Sequence, residues 1–132
     1  MQTFLPGSDY EYSAQVLDNK RLNKQILEGY QILKVLSGAS PSGAWRNHPA
    51  VLMWKNAERS LVNYIDHMVY EAKWRGIKTD KNVSNLRALQ RSHGHLWGDN
   101  EPVWAKPQHV QRVTATHRAN LYLSLIHISE PT

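Results

Sequence analysis

A chain of 132 residues, 41% of them hydrophobic, has the size of one domain with a core of its own, which excludes a disordered tail. It has no cysteine, so disulfides, thiolate nucleophiles and thiolate metal sites are excluded, and no apolar run approaches the roughly 20 residues that cross a bilayer. The net charge of +5 favours a polyanionic partner, nucleic acid first, through counterion release.

Residues 1–7 read as extended, closing in the Pro6-Gly7 turn signal, and are too short and uncharged for a secretory signal. Ser8-Asp9-Tyr10-Glu11 matches a capping box, which predicts a short helix to about Leu17. A main helix is expected at about 19–37. Leu22, Ile26, Leu33 and Leu36 form its apolar face, Asp18 can cap its start, and Gly38 can close its end. Ala39 to Gly43 reads as a loop.

Trp45-Arg46-Asn47-His48-Pro49 follows, with Pro49 suited to a first helical position. A long helix is expected over 49–75, carrying Trp54, Ala57, Leu61, Ile65, Met68 and Ala72 on one face and ending at Gly76. Such a strut would be about 40 Å long. Ile77 to Asn82 breaks the pattern, and Val83 to Ser92 reads as a short helix. His93 to Pro102 is loop chemistry that Trp97 and Trp104 could anchor. Val110, Val113, His117 and Leu121 suggest a last helix from about Gln108. No period-2 strand and no repeat is visible, so the expected fold is all-α: one compact helical bundle with a long central helix and irregular loops. Leu22, Ile26, Leu33, Leu61, Ile65 and Met68 should share its core. Residues 123–132 depart in character from the helix before them and resemble translated sequencing-adapter read-through. The domain is therefore read as 1–122, with a non-native tail.

Several side chains could carry chemistry. At about 100° per residue, Arg21, Lys24, Glu28 and Gln31 fall in one stripe beside the apolar face of the main helix. A carboxylate framed by cations suits proton transfer beside a bound anion. The plain alternative is an i,i+4 salt bridge on a solvated helix side. His93 and His95, near Asp99 and Glu101, could hold a metal, but a polar loop with surface histidines is the preferred reading and no metal is expected. His48 could contact phosphate, or cap its helix and pack on Trp45; both stay open. His117 reads as a core histidine. Arg46, Arg87, Arg91, Arg112 and Arg118 are candidate phosphate contacts, against the alternative of a solvated basic surface.

Two of these blocks, taken in order, resemble one family: the pyrimidine-dimer DNA glycosylases of the phage endonuclease V type and their bacterial relatives. The first is Leu17-Asp18, Leu22 and Glu28; the second is Trp45-Arg46-Asn47-His48-Pro49. Thr116-His117-Arg118-Ala119-Asn120-Leu121 resembles a Ser-His-Arg segment of the bacterial relatives. The resemblance implies an all-helical DNA repair enzyme that excises ultraviolet-induced dimers. In that family the α-amine of the N-terminus attacks the sugar C1′, an imine forms, the base leaves, and β-elimination nicks the strand. A nucleotide is flipped out of the stack to open the site.

Carried onto this chain, the resemblance implies Glu28 as the proton-transfer group. The amine of Met1, or of Gln2 once Met1 is removed, becomes the nucleophile. Arg21, Lys24, Arg46, Asn47, His48 and Arg118 become the DNA contacts. Two positions depart from the family pattern: Gln2 stands where a small residue favours Met removal, and Leu27 stands where an Arg precedes the glutamate. Arg21 and Lys24 could supply that charge from other positions. The expected partner is damaged or abasic double-stranded DNA, with no cofactor and no membrane. The protein is expected to be monomeric, cytoplasmic and nucleoid-associated. Glu28, the N-terminal amine and Arg46 or His48 should line one basic concavity. The alternatives are a helical DNA-binding module without chemistry and a His/carboxylate metal hydrolase.

Overall fold

The computed structural model describes residues 9–40 and 45–102, and every regular element among them is helical. Helix α1 is Tyr10–Val16. Its cap is Asp9 rather than Ser8: the Asp9 carboxylate accepts from the Tyr12 amide at 2.6 Å. A carboxylate at a helix start also meets the positive end of the helix dipole, which a serine hydroxyl does not. Helix α2 is Asn19–Leu36, close to its expected bounds. Asp18 caps it, accepting from the Arg21 amide at 3.3 Å. Gly38, at φ 74°, closes it in the left-handed region.

The long helix expected over 49–75 is two helices. α3 is Pro49–Leu52 and α4 is Glu58–Trp74, with a turn between them. The break lies at Asn56, whose φ of 62° no helix can hold and which asparagine tolerates better than most residues. The loop at 97–100 stabilises it from outside: the Asn100 amide donates to the Asn56 carbonyl at 3.2 Å. α4 alone spans about 25 Å, not 40 Å. Trp54 and Ala57 are buried as expected, although both lie in the break. Helix α5, Asp80–His93, starts earlier than expected. The acidic Asp80 suits a first turn, which outweighs the polar character of residues 80–82. A short 3-10 turn, Gly94–Leu96, follows.

Leu22, Ile26, Leu33, Leu61, Ile65 and Met68 are each at most 1% exposed and belong to one cluster with Trp54, Tyr64 and Leu86. α2 and α4 cross closely at Gly29, where an added Cβ would lie 2.7 Å from Ile65 Cγ1. This crossing fixes the height of α2 on α4, and so of Glu28 one residue earlier. No described helix is long and apolar enough to cross a membrane. The expected last helix, Trp104, Arg112, His117 and the boundary at 122 lie outside the described residues.

Arg75 ties α1 to the end of α4. Its guanidinium donates to the carbonyls of Leu17 at 2.6 Å and Gln15 at 3.0 Å, and its Nε pairs with Glu71 at 2.9 Å. The last carbonyls of α1 have no helical partner, so these bonds satisfy them. Arg75→Ala is expected to lower unfolding free energy by about 2 kcal/mol, the scale of charge-assisted bonds lost from orphaned acceptors. Arg75→Lys should recover only part, because one ammonium cannot span the fork. Denaturant midpoints measure both, and an unchanged midpoint for Arg75→Ala would reduce the network to surface decoration.

Candidate active site

Glu28 sits on α2 where the buried face meets solvent. Its side chain is 14% exposed, against 65% for Lys24 one turn earlier, whose Nζ is 3.9 Å from Glu28 Oε1. The other oxygen faces inward: Gln25 Nε2 donates to Glu28 Oε2 at 3.3 Å. Gln25 is buried on the apolar face, and its Oε1 accepts from the Tyr64 hydroxyl of α4 at 2.6 Å. The Tyr64 ring meets Tyr10 edge-on at 5.5 Å and lies 5.7 Å from Trp54. Tyr10 bonds Ser60 at 2.8 Å. Burial pushes the Tyr10 hydroxyl pKa up; the Ser60 bond works against that, and the charge of Glu101 adds to it.

Outside Glu28 lies an open cleft of about 420 Å³, lined by Glu28, Gln31, Lys34, Val35, Ser40 and Trp45. It joins the two sequence blocks, Glu28 from α2 and Trp45 from the turn before α3. Trp45 is half exposed, and its ring lies 5.4 Å from that of His48. His48 Nδ1 accepts from the Ala50 amide at 3.1 Å, so His48 caps α3 and backs Trp45. An accepting Nδ1 leaves Nε2 with the proton of the neutral ring. Arg46 and Asn47 are exposed on the same turn.

Arg21 is 6% exposed and its guanidinium meets Asp18 at 3.1 Å, a clamp at the start of α2. Lys24 stands in solvent beside Glu28. The expected concavity pairs Glu28 with Arg46 or His48; the cleft instead pairs Glu28 with Trp45, and neither Arg46 nor His48 is among its lining residues, His48 being turned to the Ala50 amide and the Trp45 ring. Met1, Gln2 and Arg118 lie outside the described residues.

Sequence reasoning missed Gln25, Tyr64 and Lys34. Gln25 left a signal: it is polar yet sits one turn from Leu22 and Gly29, inside the apolar face. The His93/His95 loop forms a different surface. His95 lines a second cleft of about 400 Å³ with Arg59, Gln90 and Trp97, while Asp99 pairs with Arg59 at 2.9 Å. Among the described residues, no group of three or more His, Asp or Glu could hold a metal ion.

A family model described as pyrimidine dimer DNA glycosylase matches residues 1–85, which include Glu28, Gln25, Tyr64 and the Trp45–Pro49 turn. No curated protein and no solved structure matches the chain.

Proposed function

The chain belongs to the pyrimidine dimer DNA glycosylase family, and on that premise we propose that it excises dimers from double-stranded DNA and nicks the resulting abasic site through an N-terminal amine. The neutral amine of Met1, or of Gln2 after Met1 removal, adds to the sugar C1′ as the glycosidic bond breaks, and its electron pair leaves with the base. Loss of an amine proton and opening of the sugar ring, in which the C1′–O4′ bond breaks and O4′ takes up a proton, give the imine. Removal of a C2′ proton then breaks the C3′–O bond and nicks the strand, and water releases the protein. Glu28 is the group that moves these protons. An α-amine, with reference pKa near 7.7–8.0, is roughly a quarter neutral at pH 7.5, whereas a lysine near 10.4 is about a thousandth neutral. Covalent imine chemistry requires the neutral form, which favours the terminus over Lys24.

The observation that carries this reading is the shared cleft of Glu28 and Trp45. It holds a carboxylate shielded on one side, Lys34 on its wall and an aromatic face half open to solvent, while Lys24, 3.9 Å from Glu28, stands outside the lining. An aromatic face can stack on an unpaired base, and the cations can meet backbone phosphates. The net charge of +5 supports DNA as the partner.

The test is borohydride trapping on duplex DNA with one abasic site. The expected result is a covalent adduct that peptide mapping places at the N-terminal residue. An adduct at Lys20 or Lys24 would move the nucleophile. Salt-sensitive binding with neither adduct nor nick would establish the binding-module alternative, with Gln2 the first residue to blame. Activity that a chelator abolishes would instead favour the metal hydrolase.

A further inference from the structure

Resting on the reading that Glu28 moves the protons, we propose that Gln25 and Tyr64 are positioning residues that hold the Glu28 carboxylate at the edge of its cleft. A glutamate carries three rotatable bonds, and on a helix surface it samples many rotamers. Here one oxygen accepts from a side chain that is itself fixed. Gln25 is 1% exposed and Tyr64 is 1% exposed, so neither side chain has room to turn. The Tyr64 hydroxyl, 2.6 Å from Gln25 Oε1, anchors the inner end of the amide, and the Glu28 carboxylate, which when ionised can only accept, takes the NH₂ end. With the carbonyl end engaged by that hydroxyl, the NH₂ end faces Glu28 Oε2 at 3.3 Å. The flipped amide would put two oxygens face to face, which the network disfavours.

The Tyr64 ring is held in turn by Tyr10 and Trp54. A chain of contacts thus runs from the core of α4 to a carboxylate at the surface of α2. Core packing gives that carboxylate a direction which an exposed pair with Lys24, itself 65% exposed, cannot give. Neither Gln25 nor Tyr64 lines the cleft, so both act through Glu28 rather than on DNA. The arrangement also separates two jobs on one helix: Lys24 faces solvent and the phosphates, and Gln25 faces the core and the acid–base group.

The experiment is a double-mutant cycle on single-turnover nicking of abasic duplex DNA, using the full chain. Tyr64→Phe keeps the ring and removes the hydroxyl. It is expected to slow nicking about five- to tenfold, the worth of one hydrogen bond, with DNA affinity at two salt concentrations unchanged. In a Glu28→Gln background the same change should add little further loss. Because Tyr64→Phe removes a hydrogen bond from a buried amide, Gln25→Met combined with Tyr64→Phe serves as the second variant. It removes both polar groups at similar volume, and the same non-additivity is expected. An equal factor in both backgrounds, or no effect on rate beside wild-type melting, overturns the positioning role while leaving the glycosylase reading intact. Absence of any trapped adduct in the wild type overturns that reading itself, and the positioning role falls with it.

Discussion

Glu28→Gln is expected to leave folding and salt-dependent DNA binding near wild type while strand nicking falls by a factor on the order of 10² to 10⁴, the usual worth of general acid–base catalysis. The substitution is nearly isosteric. Its new amide oxygen can still accept from Gln25 Nε2, so the inner bond at 3.3 Å survives. The pair with Lys24, at 3.9 Å and with the lysine mostly in solvent, contributes under about 1 kcal/mol. Only the ability to take and return a proton is lost. A salt-bridge role predicts unchanged nicking, so the two readings separate by two orders of magnitude or more. Nicking of abasic duplex by wild type and variant, after matched melts and binding titrations, makes the measurement. Equal rates would end the catalytic assignment of Glu28.

Much of this site was legible in the sequence because helical period carries geometry. Leu22, Ile26 and Leu33 set the buried face of α2 inward, and their period alone puts Glu28 at the margin of that face. Asp18 and Pro49 announced their helix starts through local chemistry, and both hold those positions. Pattern alone could not see across elements. That His48 caps its helix rests on the atom the Ala50 amide finds, a distance and not a spacing. Arg21 reads like Lys24 on a helical wheel, but it turns to Asp18 and is buried, because the arginine fork reaches a carboxylate three residues back. Gln25 looked like an interruption of the apolar face until Tyr64, 39 positions away, supplied its partner.

The break at Asn56 was hidden for a related reason. Apolar residues at Trp54, Ala57, Leu61 and Ile65 continue one face through it, so the period gave no warning. What decides the break is a tertiary contact between 56 and the loop at 97–100.

That contact gives the second large expected effect. Gly98→Ala should lower stability by on the order of 3 kcal/mol, from overpacking against backbone together with lost hydrogen bonds. A Cβ at 98 would lie 2.3 Å from the Asn56 carbonyl oxygen and 2.9 Å from its carbon, and neither atom can swing away as a side chain can. The loop must retreat. Retreat strains three bonds at 3.2 Å: the Gly98 amide to Glu58 Oε2, the Arg59 amide to the Gly98 carbonyl, and the Asn100 amide to the Asn56 carbonyl. Trp97, 6% exposed, would be drawn with it, away from Ser37, to which its indole N–H donates at 2.8 Å. Ser37 caps the end of α2, next to the Lys34, Val35 and Ser40 wall of the Glu28 cleft, so nicking should weaken along with stability. Gly94→Ala is the matched control. Its Cβ would meet Gln90 Cγ at 3.4 Å, ordinary contact with a flexible side chain, and the change should stay within about 1 kcal/mol of wild type. Denaturant unfolding of both variants decides the matter: equal midpoints would mean that the loop yields freely and that the close approach at Asn56 does not hold α3 and α4 apart.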